Sequence, residues 1–281
     1  MLKGVKFNNY YYNIINDYIF INVYNKNMDI ESKLGTIIGK GGFGSVYTII
    51  DMPKLCVKKS NKNNNCRIWK NEYNIIINIH KILNKIDIFN KLKYIKIIKA
   101  IQFIENSNGN CYMIMNRIYR PIIPITKTNI TKLNNLTINA LFGIKKNTLY
   151  KKSQRGEFYG LDKLNDIFNE EQIKVIIKEL GIVMALLHFI VKIDAFDIEL
   201  YVGLEYDNIT PCIYIADFDL SENIIDFNDD IIKNRICWAL EAMPYFPNKD
   251  CNEEHYNIFK EAYIKIAKND EITDKIFTCY I

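Results

Sequence analysis

Gly39-Lys40-Gly41-Gly42-Phe43-Gly44-Ser45-Val46-Tyr47 is the stretch that decides how this chain folds. Its glycines are spaced G-x-G-x-x-G, a pattern shared by unrelated folds. In a dinucleotide-binding fold the third glycine opens a helix, and an acid follows about 20 residues later. Here the third glycine leads into Ser-Val-Tyr-Thr-Ile-Ile, a β-favouring run, then a turn at Asp51-Met52-Pro53. A short apolar run follows and ends Leu55-Cys56-Val57-Lys58. The order strand, glycine loop, strand, turn, strand, lysine predicts a hairpin that covers nucleotide phosphates and brings an ammonium to them. Gly39, Gly41 and Gly44 give the tip its freedom and allow close backbone approach, and Val46 joins them as a nucleotide-contacting residue.

At 281 residues the chain can bury a substantial core, in one large domain or two lobes. Asn runs such as Asn63-Asn64-Asn65 read as loop filler. The net charge of +5 is small for this length and the lysines are spread out, so a solvated surface is expected and no nucleic-acid partner. Seven cysteines are scattered, odd in number and without a C-x-x-C pair. Neither a zinc site nor a disulfide framework is expected from them, and a reducing compartment is the simpler reading. The N-terminus has no clean apolar run with a small-residue cleavage site. The longest apolar-rich run, residues 180–191, is too short to span a bilayer. These features predict an intracellular protein, cytoplasmic or nuclear, with no membrane partner.

Residues 1–33 are aromatic and Asn-rich and read as a strand or helix against the first lobe. Ile68, Ile75, Ile76, Ile79, Ile82 and Leu83 recur at helical spacing. Residues 94–103 and 111–115 read as two further strands, joined by a turn at Asn106-Ser107-Asn108-Gly109-Asn110. Met115-Asn116-Arg117 is the expected crossing between a lobe over 1–116 and a second over 117–281. Residues 121–166 carry little pattern beyond a basic cluster at Lys145, Lys146, Lys151, Lys152 and Arg155, which reads as an exposed loop face. A long, largely buried helix is expected over 170–189. Two β-like runs follow, 199–204 and 212–216, around a turn with Asp207, Asn208 and Pro211, and the remainder has mostly helical pattern.

Phosphoryl chemistry needs a phosphate cover, a cation on the phosphates, metal-binding oxygens and a carboxylate near the acceptor. Lys58, at the end of its strand, supplies the cation; a strand lysine reaching for solvent is the plainer alternative. Glu72, on the following helix, can hold that lysine extended, or be an ordinary exposed helix glutamate. Asp194, Asp197 and Glu199 are three acids in six residues between apolar runs, a site or a solvated turn. Asp217 ends an apolar strand, where a carboxylate is costly unless it is paired or meets a cation. His188 reads as a satisfied helix histidine.

On these residues the chain resembles the protein-kinase-like superfamily. Residues 39–46 match its glycine loop, Lys58 its phosphate lysine and Glu72 the helix partner of that lysine. Lys192-Ile193-Asp194 sits where that superfamily has His-Arg-Asp, and Asp217-Phe218-Asp219 where it has Asp-Phe-Gly. A narrower resemblance is to a mainly fungal group of uncharacterised kinase-like domains. It is carried by Trp69-Lys70-Asn71-Glu72-Tyr73, Leu187-His188-Phe189, Asp194-Ala195-Phe196-Asp197-Ile198-Glu199, Val202-Gly203, Asp217-Phe218 and Pro244-Tyr245-Phe246-Pro247. The resemblance implies a bilobal α+β fold, with a small antiparallel-sheet N-lobe holding one helix and a mainly helical, shortened C-lobe. It implies ATP and Mg²⁺ as cofactors, Asp194, Lys58 and Glu72 as catalytic residues, and Asp217 with Glu199 as metal ligands. A nucleotide and a protein substrate or partner are the expected partners. The chain departs from the pattern where Phe196 replaces a lysine, Glu199 an asparagine and Asp219 a glycine. Those changes keep open a pseudokinase, or a kinase for small molecules.

Overall fold

The computed structural model describes residues 29–41, 44–60, 66–106, 109–121, 138–144, 157–204 and 210–278. The expected element over 1–33, the basic cluster at 145–155 and the turn at Asp207-Asn208 lie wholly or mostly outside them. Met1–Leu34 and Gly35–Ile281 form two compact units. Of the first, the described part is a short 3-10 turn, Glu31–Lys33, and the first residue of the strand that follows.

The glycine loop does sit on a hairpin. Strands β1 (Leu34–Lys40), β2 (Gly44–Ile49) and β3 (Met52–Ser60) lead to helix α1 (Cys66–Leu83). After a helical turn at Asp87–Asn90 come β4 (Ile95–Ile97), β5 (Ala100–Glu105) and β6 (Cys111–Asn116). The first sheet has the order β1-β2-β3-β6-β5, and β2–β3, β3–β6 and β5–β6 pair antiparallel. Asp51, at φ 64, turns the hairpin between β2 and β3 in the left-handed region that Asp tolerates. Helix α1 buries Trp69, Glu72, Ile76, Ile79 and Leu83, a stripe of alternating three- and four-residue steps.

The single strand expected over 94–103 is two strands. Its first part, β4, leaves the first sheet and pairs parallel with β10 (Cys212–Ala216). The second sheet runs β4-β10-β9-β7-β8, with β7 (Ile138–Ala140), β8 (Glu157–Tyr159) and β9 (Glu199–Gly203). The buried carboxylate of Glu179 explains the break. It accepts from the backbone N–H of Lys93, Tyr94 and Ile95 at 2.7, 2.8 and 3.0 Å, which ties the start of β4 to the central helix. At the expected crossing, Asn116 N–H donates to Lys99 and Arg117 N–H to Lys54, and Tyr119 and Leu204 exchange backbone bonds at 2.8 and 2.7 Å.

That central helix, α2 (Glu170–Ala185), starts at a capping box between Asn169 and Gln172 and continues as a π turn over Leu186–Val191. Lys192, at φ 66, ends it. Helices α3 (Asp230–Cys237), α4 (Glu253–Ala267) and α5 (Asp270–Ile276) complete this part. Gly181 brings α2 against α4: a Cβ there would lie 2.4 Å from the Phe259 carbonyl oxygen. The class is α+β, a small antiparallel sheet with one long helix followed by a helical part that also holds a second sheet. Among the described residues no helix is long and apolar enough to cross a membrane.

The cysteine expectation needs correction. Cys66 and Cys111 form a disulfide, with Cα atoms 5.5 Å apart. They are the first residues of α1 and β6, brought together by the packing of helix on sheet, which spacing in sequence does not report.

Candidate active site

Strand pairing sets Lys58 between Val46 and Met113, in the middle of the first sheet. Its Nζ lies 2.8 Å from Glu72 Oε2 and 2.7 Å from Asp217 Oδ1. The ammonium is 13% exposed, Glu72 2% and Asp217 35%. Burial alone would lower the lysine's pKa, but Asp217 and Glu72 outweigh it and hold the ammonium above its usual range. Burial pushes Glu72 up in spite of the lysine. One ammonium between two carboxylates leaves a surplus of negative charge.

Trp69 closes this site from the helix side. Lys58 Nζ lies 5.1 Å from its ring centroid, and a Cβ on Gly44 would lie 2.2 Å from the ring. The third glycine is therefore required by the tryptophan beneath it, whereas Gly39 and Gly41 have ordinary room. Gly41 N–H donates to the Gly44 carbonyl at 2.8 Å and folds the tip back; Gly42 and Phe43 lie outside the described residues.

The surplus charge grows toward β9. Asp217 follows β10 at φ 64, with Phe218 buried behind it. Glu199 opens β9, opposite Ala216 in the register. The hydroxyls of Tyr201 and Tyr245 both bond Glu199, and burial next to that carboxylate raises both phenols, so they remain donors. Burial and then Asp217 push Glu199 up, and the same causes take Asp219 to about 7. The charge of Asp197 acts on Glu199, Asp219 and Tyr245. A Glu199 and an Asp219 raised by burial and by Asp217 mark a site short of positive charge, and Mg²⁺ needs only one or two carboxylates when phosphate oxygens supply the rest. Asp217 and Glu199 fit that role. Among the described residues no three His, Cys, Asp or Glu side chains form a metal-holding group.

Asp194 has partners of its own. It is fully buried. Its Oδ1 accepts from the N–H of Phe196 at 3.1 Å and of Glu222 at 2.9 Å, and its Oδ2 meets Arg235 Nε at 2.5 Å. The Asp194 carbonyl accepts from His188 Nε2 at 3.2 Å, and His188 Nδ1 faces the Tyr263 hydroxyl at 2.7 Å. Burial takes His188 down to about 3, so this is a neutral, satisfied histidine. Three donors on a fully buried carboxylate place Asp194 in the interior, where the expected contact with a substrate is not visible.

Lys58, Glu72, Asp217, Glu199 and the glycine loop are thus in one neighbourhood. Sequence reading missed Arg235, whose partner is 41 residues away, and the two phenols on Glu199. The Pro-Tyr-Phe-Pro pattern carried Tyr245, but nothing in it reported a carboxylate partner.

No family model and no curated protein matches the chain. Among solved structures it is similar to the kinase PK-1 of Cydia pomonella granulovirus, at 13% identity over 93% of this chain and 97% of that one, with a TM-score of 0.39. The kinase-like character of the fold is visible in the chain itself. A glycine-loop hairpin in a five-stranded sheet, and a sheet lysine joined both to a helix glutamate and to the aspartate of Asp-Phe, make that layout.

Proposed function

We propose that this protein is an ATP- and Mg²⁺-dependent phosphotransferase acting on a hydroxyl, most simply a protein serine or threonine. The observation that carries the reading is Lys58 Nζ shared between Glu72 and Asp217 at 2.8 and 2.7 Å beside the glycine loop. The lysine holds phosphate oxygens, Glu72 keeps it extended, and Gly39, Gly41, Gly44 and Val46 cover the nucleotide. When bound, Mg²⁺ neutralises phosphate charge, and Asp217 and Glu199 would hold it. With Asp217 engaged by the metal, Lys58 would remain for the nucleotide. Left-handed backbone at Ala195 (φ 48), Asp197 (φ 61) and Asp217 (φ 64) supports a working site, because such strain is kept where function needs it. The likeness to mainly fungal kinase-like domains belongs to the same proposal.

A second reading, a nucleotide-binding pseudokinase, is favoured by one observation: both phenols on Glu199 occupy a carboxylate that the metal would need. The two readings agree on binding and differ on transfer. Thermal unfolding of wild type and Lys58→Ala, each with Mg²⁺ alone and with Mg·ATP, tests the part they have in common. A ligand that binds the folded state raises the midpoint by mass action. A rise of the wild-type midpoint that Lys58→Ala loses is the expected result. No rise at millimolar Mg·ATP would sink both readings.

A further inference from the structure

We propose that the indole N–H of Trp69 is a hydrogen-bond donor for the phosphate chain of the nucleotide, beside the ammonium of Lys58. This rests on the nucleotide-binding part of the reading above. An indole nitrogen can only donate. Trp69 is fully buried, and its Nε1 meets no acceptor among the described residues. A buried donor left unmatched costs the fold the water it gave up, so native chains keep few of them without a use. The equally buried His188 and Tyr263 show the ordinary solution, in which imidazole and phenol bond each other.

The place of the ring says what the donor is for. Trp69 stands three residues before Glu72 on the same face of α1, and both are buried. Lys58 Nζ lies 5.1 Å from the ring centroid. A Cβ on Gly44 would lie 2.2 Å from Cζ2 and 2.4 Å from Cη2, so the glycine loop bears on the six-membered ring at those atoms. In an indole the hydrogens on Cζ2 and Nε1 project from the same side of the bicycle. The unmatched N–H is therefore on the side of the ring that meets the glycine loop. Glu72 Oε2 and Asp217 Oδ1 are engaged by the lysine. An anion brought between the loop and Lys58 supplies the missing acceptor, and a phosphate oxygen is the acceptor that such a loop and lysine receive.

An uncharged donor suits this place. A second cation would compete with Lys58 for Glu72 and Asp217, whereas an indole N–H adds a hydrogen bond and leaves that arrangement as it is. Trp69 and Glu72 of the Trp69-Lys70-Asn71-Glu72-Tyr73 segment then serve the same ligand, Glu72 by orienting the charged donor and Trp69 as the neutral one. Size alone would also put a tryptophan beneath Gly44, and the test separates the two explanations.

The test uses the full chain with Trp69 replaced by benzothienylalanine, which has sulfur in place of the N–H and keeps both rings. Without ligand, its unfolding midpoint should equal or exceed that of wild type, because an unmatched donor is gone. Its dissociation constant for Mg·ATP, from calorimetric titration, should rise about tenfold, the effect of losing a hydrogen bond to a charged group. Wild type supplies a second measurement that needs no change at Trp69. The chain has two tryptophans, so a proton–nitrogen correlation spectrum holds two indole signals, and Trp238→Phe leaves that of Trp69. With Mg·ATP this signal should move downfield, as an N–H does on gaining an acceptor; with adenosine, which has no phosphate, it should stay. Unchanged affinity in the benzothienyl variant, a lowered midpoint without ligand, or equal movement with adenosine would overturn the assignment. A wild type that binds Mg·ATP no better than the variant overturns this inference alone, whereas a wild type with no Mg·ATP midpoint rise overturns the nucleotide reading beneath it.

Discussion

Two ion pairs with opposite characters are built into this part of the chain. At Lys58 one cation is divided between two carboxylates, and the outer one, Asp217, is 35% exposed. At Asp194 one carboxylate takes three donors from three directions and is not exposed at all. The first arrangement can exchange partners, because each group already has an alternative. The second cannot, because every lone pair in use would be left unmatched. The two pairs are alike in burying charge and differ in the coordination they leave open.

The sharpest way to break this comparison is to remove the cation on each side. Arg235→Ala leaves a carboxylate uncompensated in the interior and should cost about 3–5 kcal/mol, read as the denaturant midpoint. Lys58→Ala should cost clearly less, because Glu72, already pushed up by burial, can take a proton instead. The sign follows from that direction. A carboxyl with a folded pKa above its unfolded value favours the folded state at low pH and loses that advantage as pH rises through the folded pKa. The Lys58→Ala deficit should therefore be small near pH 5 and grow toward pH 8. Equal, pH-independent losses in the two variants would remove the distinction between an exchangeable and a locked pair.

The next largest effect comes from the covalent tie at the Lys58 end. Cys66–Cys111 closes a loop of 45 residues between the helix that carries Glu72 and the strand that pairs with Lys58's own. Cys66→Ser with Cys111→Ser should cost about 2–4 kcal/mol. Hydrogen exchange should locate the loosening in the first turns of α1 and leave the Arg235 region protected. Uniform loosening over the whole chain would mean that the two sides are not separately anchored.

What the sequence made legible follows the range of the interactions. The glycine loop, Lys58 and the helix with Glu72 lie within 34 residues, and each has a local cause: β-favouring residues, alternation along a strand, helical spacing. The second sheet was only half visible, since β7 and β8 are three residues each and carry no period to read. The division of residues 94–103 depends on Glu179, a buried charge on the central helix whose purpose appears only when three N–H groups arrive from 84 to 86 residues away. The surroundings of Asp194 were hidden for the same reason. Its motif position is set by the chain, but its partner Arg235 lies 41 residues on, on α3.

The smallest effect concerns Asp219, where a glycine would be expected. Burial, with Asp217 beside it, takes this carboxyl to about 7, against 3.8 for an unperturbed aspartate. Between those two values the folded state binds a proton that the unfolded chain has lost, so stability falls as pH rises from about 4 through 7 and levels off above. Asp219→Asn removes that slope. Its midpoint should exceed that of wild type at pH 8 and match it at pH 4, with the difference reduced by the partial exposure of the site to water. A divalent cation held by Asp217 would favour the ionised form of Asp219, so Mg·ATP binding near pH 7 should release a fraction of a proton, measurable as binding heat that changes with the buffer's own heat of ionisation. Asp219→Asn should release less. If wild type and variant release the same amount, Asp219 lies outside the field of the bound metal, and the exchangeable side of the comparison ends at Asp217.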